Sequence, residues 1–117
     1  PLVGPSSILL ALMASGMNGQ NFAFNGYLPI ESRERANKIK QLEKLAHTHK
    51  QTQIFMETPY RNNQLVEVIL KTCRSQSKLC IASNITTGKE SILTKTIAEW
   101  KTIKLDINKQ PSIFLLS

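Results

Sequence analysis

Short apolar runs of strand type, each separated from the next by a segment of helical period, constrain this chain more than any other feature. Gln53-Ile54-Phe55-Met56, Leu79-Cys80-Ile81-Ala82-Ser83 and the terminal Pro111-Ser112-Ile113-Phe114-Leu115-Leu116 read as strands. Residues 22–28 alternate enough to form another short strand that runs into a Gly-Tyr-Leu-Pro loop. After a turn at Thr87-Gly88-Lys89, residues 90–95 return as a further strand.

The intervening segments carry helical signals. Pro5 near a first turn, then Ile8, Leu9, Leu10, Leu12 and Met13, then Gly16 past the end, predict a helix. It is apolar on most sides, which predicts that it is buried. From Ser32 to about Ala46, Ala36, Ile39, Leu42 and Leu45 or Ala46 recur at three to four, while Arg33, Arg35, Lys38, Lys40 and Lys44 fill the other side. That pattern predicts an amphipathic helix with a basic outer face. Thr58-Pro59 opens another helix, whose apolar face is Leu65, Val66, Ile69, Leu70 and Cys73. Residues 96–100 suit one or two helical turns. Strands interleaved with helices predict an α/β domain, a small mixed β-sheet with flanking helices and no internal repeat. A chain of 117 residues can build one core and buries about 65% of its unfolded surface, which leaves little room for a deep private cleft. It begins without Met, and Pro1-Leu2-Val3-Gly4-Pro5 reads as the end of a linker entering a helix, so the expectation is a domain cut from a longer chain.

Familiar catalytic devices are missing: the sequence has no P-loop, no paired metal-ligand motif and no G-x-S-x-G elbow. His47 and His49, two apart in a polar stretch with no nearby Cys, are expected to be exposed loop histidines rather than metal ligands. Cys73 and Cys80 are expected to be buried small hydrophobes in a reduced, cytoplasmic setting, since no signal-peptide pattern precedes them. No apolar run approaches the roughly 18 residues of a membrane span. Fifteen Lys and Arg against eight Asp and Glu give a net charge of +7, which favours phosphate-bearing partners or simply a solvated surface. Arg33, Arg35 and Lys38 carry the same two readings, and Tyr27 and Tyr60 are the stacking candidates outside the core.

In Phe55-Met56-Glu57-Thr58-Pro59-Tyr60-Arg61 an apolar strand delivers Glu57 and Arg61 to a strand-to-helix junction, where ligands sit in open α/β sheets. The alternative is a carboxylate that complements a helix N-terminus, with Arg61 as its ion-pair partner.

Taken in order, several of these segments resemble the C-terminal half of the tetrapyrrole (corrin/porphyrin) methylases, and most closely their ribosomal RNA 2′-O-ribose methyltransferase subgroup. They are Val3-Gly4-Pro5-Ser6-Ser7 leading to Ala14-Ser15-Gly16, Phe22-x-Phe24-x-Gly26-Tyr27-Leu28-Pro29, Arg33-x-Arg35 and Ile54-Phe55-Met56-Glu57-Thr58-Pro59-Tyr60-Arg61. Where the subgroup usually shows Tyr-Glu-Ser-Pro-His-Arg, this chain has Met56-Glu57-Thr58-Pro59-Tyr60-Arg61. The resemblance implies a two-domain enzyme with S-adenosylmethionine in the cleft between an N-terminal domain, absent here, and this C-terminal one. It further implies a homodimer acting on ribosomal RNA. Phe55, Met56, Ala82, Ser83, Pro111 and Ser112 would line the adenosyl side, Arg33, Arg35, Lys38 and Arg61 would contact RNA, and Glu57 would help to remove the proton of a ribose hydroxyl. A tetrapyrrole methyltransferase and a non-catalytic basic module that binds RNA or protein are the other functions to weigh.

Overall fold

Each apolar run of strand type forms a strand in the computed structural model, which describes residues 5–117. The element order is α1 (Pro5–Ser15), β1 (Phe22–Tyr27), α2 (Ser32–His49), β2 (Thr52–Met56), a single 3₁₀ turn (Pro59–Arg61), α3 (Asn62–Thr72), β3 (Lys78–Ser83), β4 (Ser91–Thr96), α4 (Ile97–Trp100) and β5 (Ser112–Leu116). The linker reading of residues 1–4 lies outside the described residues. Among the described residues the strands form one five-stranded sheet in the order β1-β2-β5-β3-β4. β1 and β2 are parallel, and the remaining pairs are antiparallel. The expected mixed sheet with flanking helices is therefore present.

Register sorts the side chains into two layers. Phe55 and Ile81 both pair with Phe114, so all three share one face. There they form a core with Ile39 and Leu42 of α2, Leu65 and Ile69 of α3, and Trp100 of α4. Phe55 and Phe114 stack with ring centroids 5.9 Å apart. Ile54, Leu115, Cys80 and Ala82 point the other way, against Ala11 and Leu12 of α1.

Local chemistry explains the helix ends. Glu31, rather than a Ser or Thr, caps α2, its carboxylate accepting from the Arg33 and Glu34 backbone N–H groups at 3.0 Å. Those two bonds favour the ionised form and hold the Glu31 carboxyl below its usual range. α4 is held by a capping box between Thr96 and Glu99. In β1, Gly26 has a φ of +67°, where a side chain would be strained, and the register slips between Phe24 and Tyr27. Asn25 closes that irregularity by donating to Gln53 Oε1 at 3.1 Å.

Two expectations are overturned. α1 is not buried: Leu9, Leu10 and Met13 are 51%, 43% and 78% exposed. A helix that is apolar all round can press only one side onto a sheet, and nothing among the described residues covers the other. His47 and His49 are not in a loop either, because α2 continues to His49 before Lys50 ends it in the left-handed conformation. Cys73 and Cys80 are buried and unpaired with each other, as expected. Burial and the neighbouring Glu43 push the Cys73 thiol up to about 12. Among the described residues no helix is long and apolar enough to cross a membrane.

Candidate functional site

β1 and β2 end side by side, β3 ends beside the start of β5, and α2 and α3 leave from this same edge. Ligands of open α/β sheets collect at such carboxyl ends. Glu57, the residue after β2, is the centre of this edge. Its side chain is only 1% exposed, and it lies between two guanidinium groups: Arg61 Nε is 3.3 Å from Oε1, and Arg35 Nη2 is 3.3 Å from Oε2. The Thr58 backbone N–H also donates to Oε1, at 2.7 Å. The Arg35 contact is an ion pair without a well-directed hydrogen bond, so Oε2 keeps an unused acceptor site.

Arg35 was expected on the basic outer face of α2. It is instead 4% exposed, and besides pairing with Glu57 it donates to the carbonyls of Pro29 and Ile30 at 3.1 and 3.3 Å. The guanidinium turns inward because a buried carboxylate and two carbonyls there satisfy its charge and donors better than one-sided solvation along an apolar helix face. It fastens the Gly26-Tyr27-Leu28-Pro29 loop to the end of β2 and is withdrawn from any RNA-contacting surface. Arg33 is exposed and Lys38 half-buried, so these two keep the outer position. Arg61 is 34% exposed at its side chain while paired with Glu57. Held by two donors and a second guanidinium, Glu57 matches the paired-carboxylate alternative, and Arg35 is a partner that no local spacing announced.

The six positions of the adenosyl side separate. Phe55 lies wholly in the α2–α3 core and Ala82 wholly under α1, so neither offers a side chain to a ligand. Ser83 and Ser112 are buried and bonded to each other at 2.8 Å across the β3–β5 pair. Only Met56 and Pro111 are half-buried at the edge. Fully buried Asn62 was not singled out by the sequence reading. Its Nδ2 donates to the carbonyls of Gln110 and Ile107 at 2.6 and 3.2 Å, fixing the loop before β5, while its Oδ1 has no partner. A buried Asn at the first position of a helix carried no motif that could have flagged it. Tyr27 and Tyr60 are 63% and 72% exposed at this edge, outside the core as expected.

The edge therefore presents an apolar rim of Met56, Pro111 and the two tyrosines around a buried, charge-compensated strut. Such a surface suits contact with a flat, largely apolar ligand or another domain, with backbone groups at the strand ends as its polar component.

No family model matches the chain. It is similar to curated proteins called ribosomal RNA small subunit methyltransferase I. The one from Vibrio cholerae serotype O1 is 31% identical over 99 residues, which are 85% of this chain and 33% of that protein. The one from Xylella fastidiosa strain 9a5c is 29% identical over 117 residues, 99% of this chain and 41% of that protein. The chain thus spans between 33% and 41% of the length of these relatives. Among solved structures, the methyltransferase CobJ superposes with a TM-score of 0.58 at 14% identity, over 94% of this chain and 46% of that one. Uroporphyrin-III C-methyltransferase from Thermus thermophilus, complexed with S-adenosylhomocysteine, gives 0.52 at 14% identity, over 92% and 48%. At such identity the structural likeness speaks for the fold.

Proposed function

We propose that the chain is the C-terminal half of an S-adenosylmethionine-dependent methyltransferase of the tetrapyrrole methylase superfamily, acting on a ribose hydroxyl of ribosomal RNA. The observation that carries this reading is the similarity of nearly the whole chain to one stretch of the ribosomal RNA methyltransferases. On this reading an N-terminal domain completes the cofactor cleft, and the complete protein works in the cytoplasm as a homodimer.

The edge of the sheet fits one wall of such a cleft. Met56 and Pro111 offer half-buried apolar surface at the strand ends, and the backbone there is held by Asn62 and by the Ser83–Ser112 pair. S-adenosylmethionine, when bound, supplies a methyl group already activated by its sulfonium, so the protein's task is largely alignment and exclusion of water. Good alignment is worth about 7–11 kcal/mol in the best intramolecular cases. Within this half, Glu57 acts through structure: by pairing with Arg35 and Arg61 it keeps the loop after β1 and the turn after β2 in register. A proton-accepting role for Glu57 would use the unused acceptor site of Oε2 and would require the carboxylate, 1% exposed here, to open toward the substrate. Arg33 and Lys38 remain on the outer face of α2, where RNA phosphates can reach them.

Calorimetric titration of S-adenosylhomocysteine into the complete protein, with this chain alone as control, tests the reading. Tight binding by the complete protein and little by the chain is the expected result. No binding by a folded complete protein would remove the methyltransferase assignment and leave the basic binding module.

A further inference from the structure

The end of the sheet opposite Glu57 holds a cleft that the cofactor reading does not use. It lies where α1 and α2 finish and β2 and β3 begin, about 17 Å from Glu57 along β2 at the usual strand rise. The cleft has a volume of about 520 Å³, and its lining includes Met17, Asn18, His47, Lys50, Thr52 and Lys78. Lys50 and Lys78 are exposed, and exposed Arg74 stands in contact with Nδ1 of His47. Among the described residues no Asp or Glu side chain lines the cleft, and the last residue of the sequence, Ser117, lies at its wall.

The nearby acid is turned away. Glu43 is buried and accepts from Ser77 Oγ at 2.5 Å and from the Arg74 backbone N–H at 2.8 Å, so its charge is spent on the α3–β3 connection. The carbonyls at the C-terminus of α2 would disfavour an anion if left bare. The last two are occupied: Asn18 Nδ2 donates to the Lys50 carbonyl at 2.9 Å and Asn21 Nδ2 to the His49 carbonyl at 2.9 Å. Thr52 Oγ1 in turn donates to the Asn18 carbonyl at 3.0 Å, so the wall is held from both sides. What remains facing solvent is the positive charge of Lys50, Lys78 and Arg74, set against the one carboxylate that Ser117 carries where the chain ends, around a concave, partly apolar floor.

We propose that this cleft binds the phosphate backbone of an RNA strand, as a second contact separate from the strand-end edge. The choice of RNA as the polyanion rests on the function proposed above; the cleft's own chemistry specifies phosphate. Arg33 and Lys38 lie in the first half of α2, toward the Glu57 end of the sheet, and Lys50 and Lys78 at the cleft, so a strand bound at both would run along the molecule rather than touch one end.

The test is fluorescence anisotropy of a short labelled single-stranded RNA with this chain across a salt series, without cofactor. Lys50→Glu with Lys78→Glu is compared with a charge-matched pair at the other end of the sheet, Lys89→Glu with Lys109→Glu. Circular dichroism and urea midpoints confirm that both variants fold. The expected result is a loss of about tenfold or more at low salt for the Lys50 and Lys78 pair at this foot of the sheet, with the slope of log affinity against log salt falling by about 1.4, that is about 0.7 per lost phosphate contact. The control pair should retain most of the affinity. Equal losses in both pairs would mean attraction by net charge alone and would overturn the site, as would no loss in the foot pair or no binding of RNA by the unaltered chain. Displacement of the RNA by inorganic phosphate at matched ionic strength would assign the cleft to a small anion instead and equally overturn the proposal. Because no cofactor is present, a failed S-adenosylhomocysteine titration leaves this result standing, and a failed foot variant leaves the cofactor reading standing.

Discussion

On one face of the sheet α2, α3 and α4 bury Phe55, Ile81, Phe114 and Trp100 to 4% exposure or less. On the other, α1 packs on β4 and β5 and leaves much of its own apolar surface, together with Phe22 and Phe24 of β1, 41% exposed or more. The first face is a finished core, close-packed, with its buried polar groups bonded in place, as where Trp100 Nε1 donates to the Leu79 carbonyl at 2.7 Å. The second is a core begun and not closed. The contrast teaches that this domain's stability is concentrated in the helices that follow β1, β2 and β4, while α1 serves a surface whose apolar area exceeds what the described residues can cover.

The sharpest way to break this comparison is to damage the finished face. Phe114→Ala removes the ring stacked on Phe55 and should cost about 3–5 kcal/mol, read as a fall in urea midpoint. A loss under about 1 kcal/mol would mean that the α2–α3 core is not continuous there. Next comes Arg35→Met, which leaves Glu57 buried with Arg61 as its remaining cation. It should destabilise by about 3 kcal/mol, and adding Glu57→Met should recover much of that loss in a double-mutant cycle. Additive losses would show that the two side chains do not work as a pair.

A third probe uses the cysteines, since Cys73 belongs to the finished face and Cys80 to the open one. The native fold keeps the Cys73 thiol protonated up to about 12, whereas the unfolded chain releases that proton near the ordinary 9.0. The native state then binds more protons between those values, so stability is fully present below about pH 9 and declines as pH rises toward 12. Urea midpoints of the chain and of Cys73→Ala should converge as pH rises through that window; parallel curves would refute the linkage. Burial also raises the Cys80 thiol, with the same sign. The smallest effect is expected on the open face: Met13→Ser should change stability by no more than about 0.5 kcal/mol, because its side chain is already in solvent. A larger loss would show that α1 is covered after all.

How legible all this was depended on the range of the interaction. The run Ile54-Phe55-Met56 and the terminal Ile113-Phe114-Leu115-Leu116 were readable as strands, and the period of Ile39 and Leu42 gave α2 and its buried side. The ion pair of Glu57 with Arg61 was visible as a local spacing of four. The pairing with Arg35 was not, because it joins the first turn of one helix to the end of the next strand. For the same reason Arg35 was read as an outward cation, and His47 as a loop residue instead of a half-buried neighbour of Ser77, whose Oγ lies 3.2 Å from Nε2. The cleft at the foot of the sheet had no sequence signal: Lys50 and Lys78 are brought together only when α2 and β3 are in place.

The sequence by itself determined which segments are helix and which strand, and the fold class that follows, because side-chain period and turn chemistry act within a few residues. Only the tertiary structure decided that β5 inserts between β2 and β3, which charges turn inward and which face stays open. Those outcomes depend on burial and on partners distant in the chain, where a guanidinium is placed by the nearest buried carboxylate and not by its helical phase.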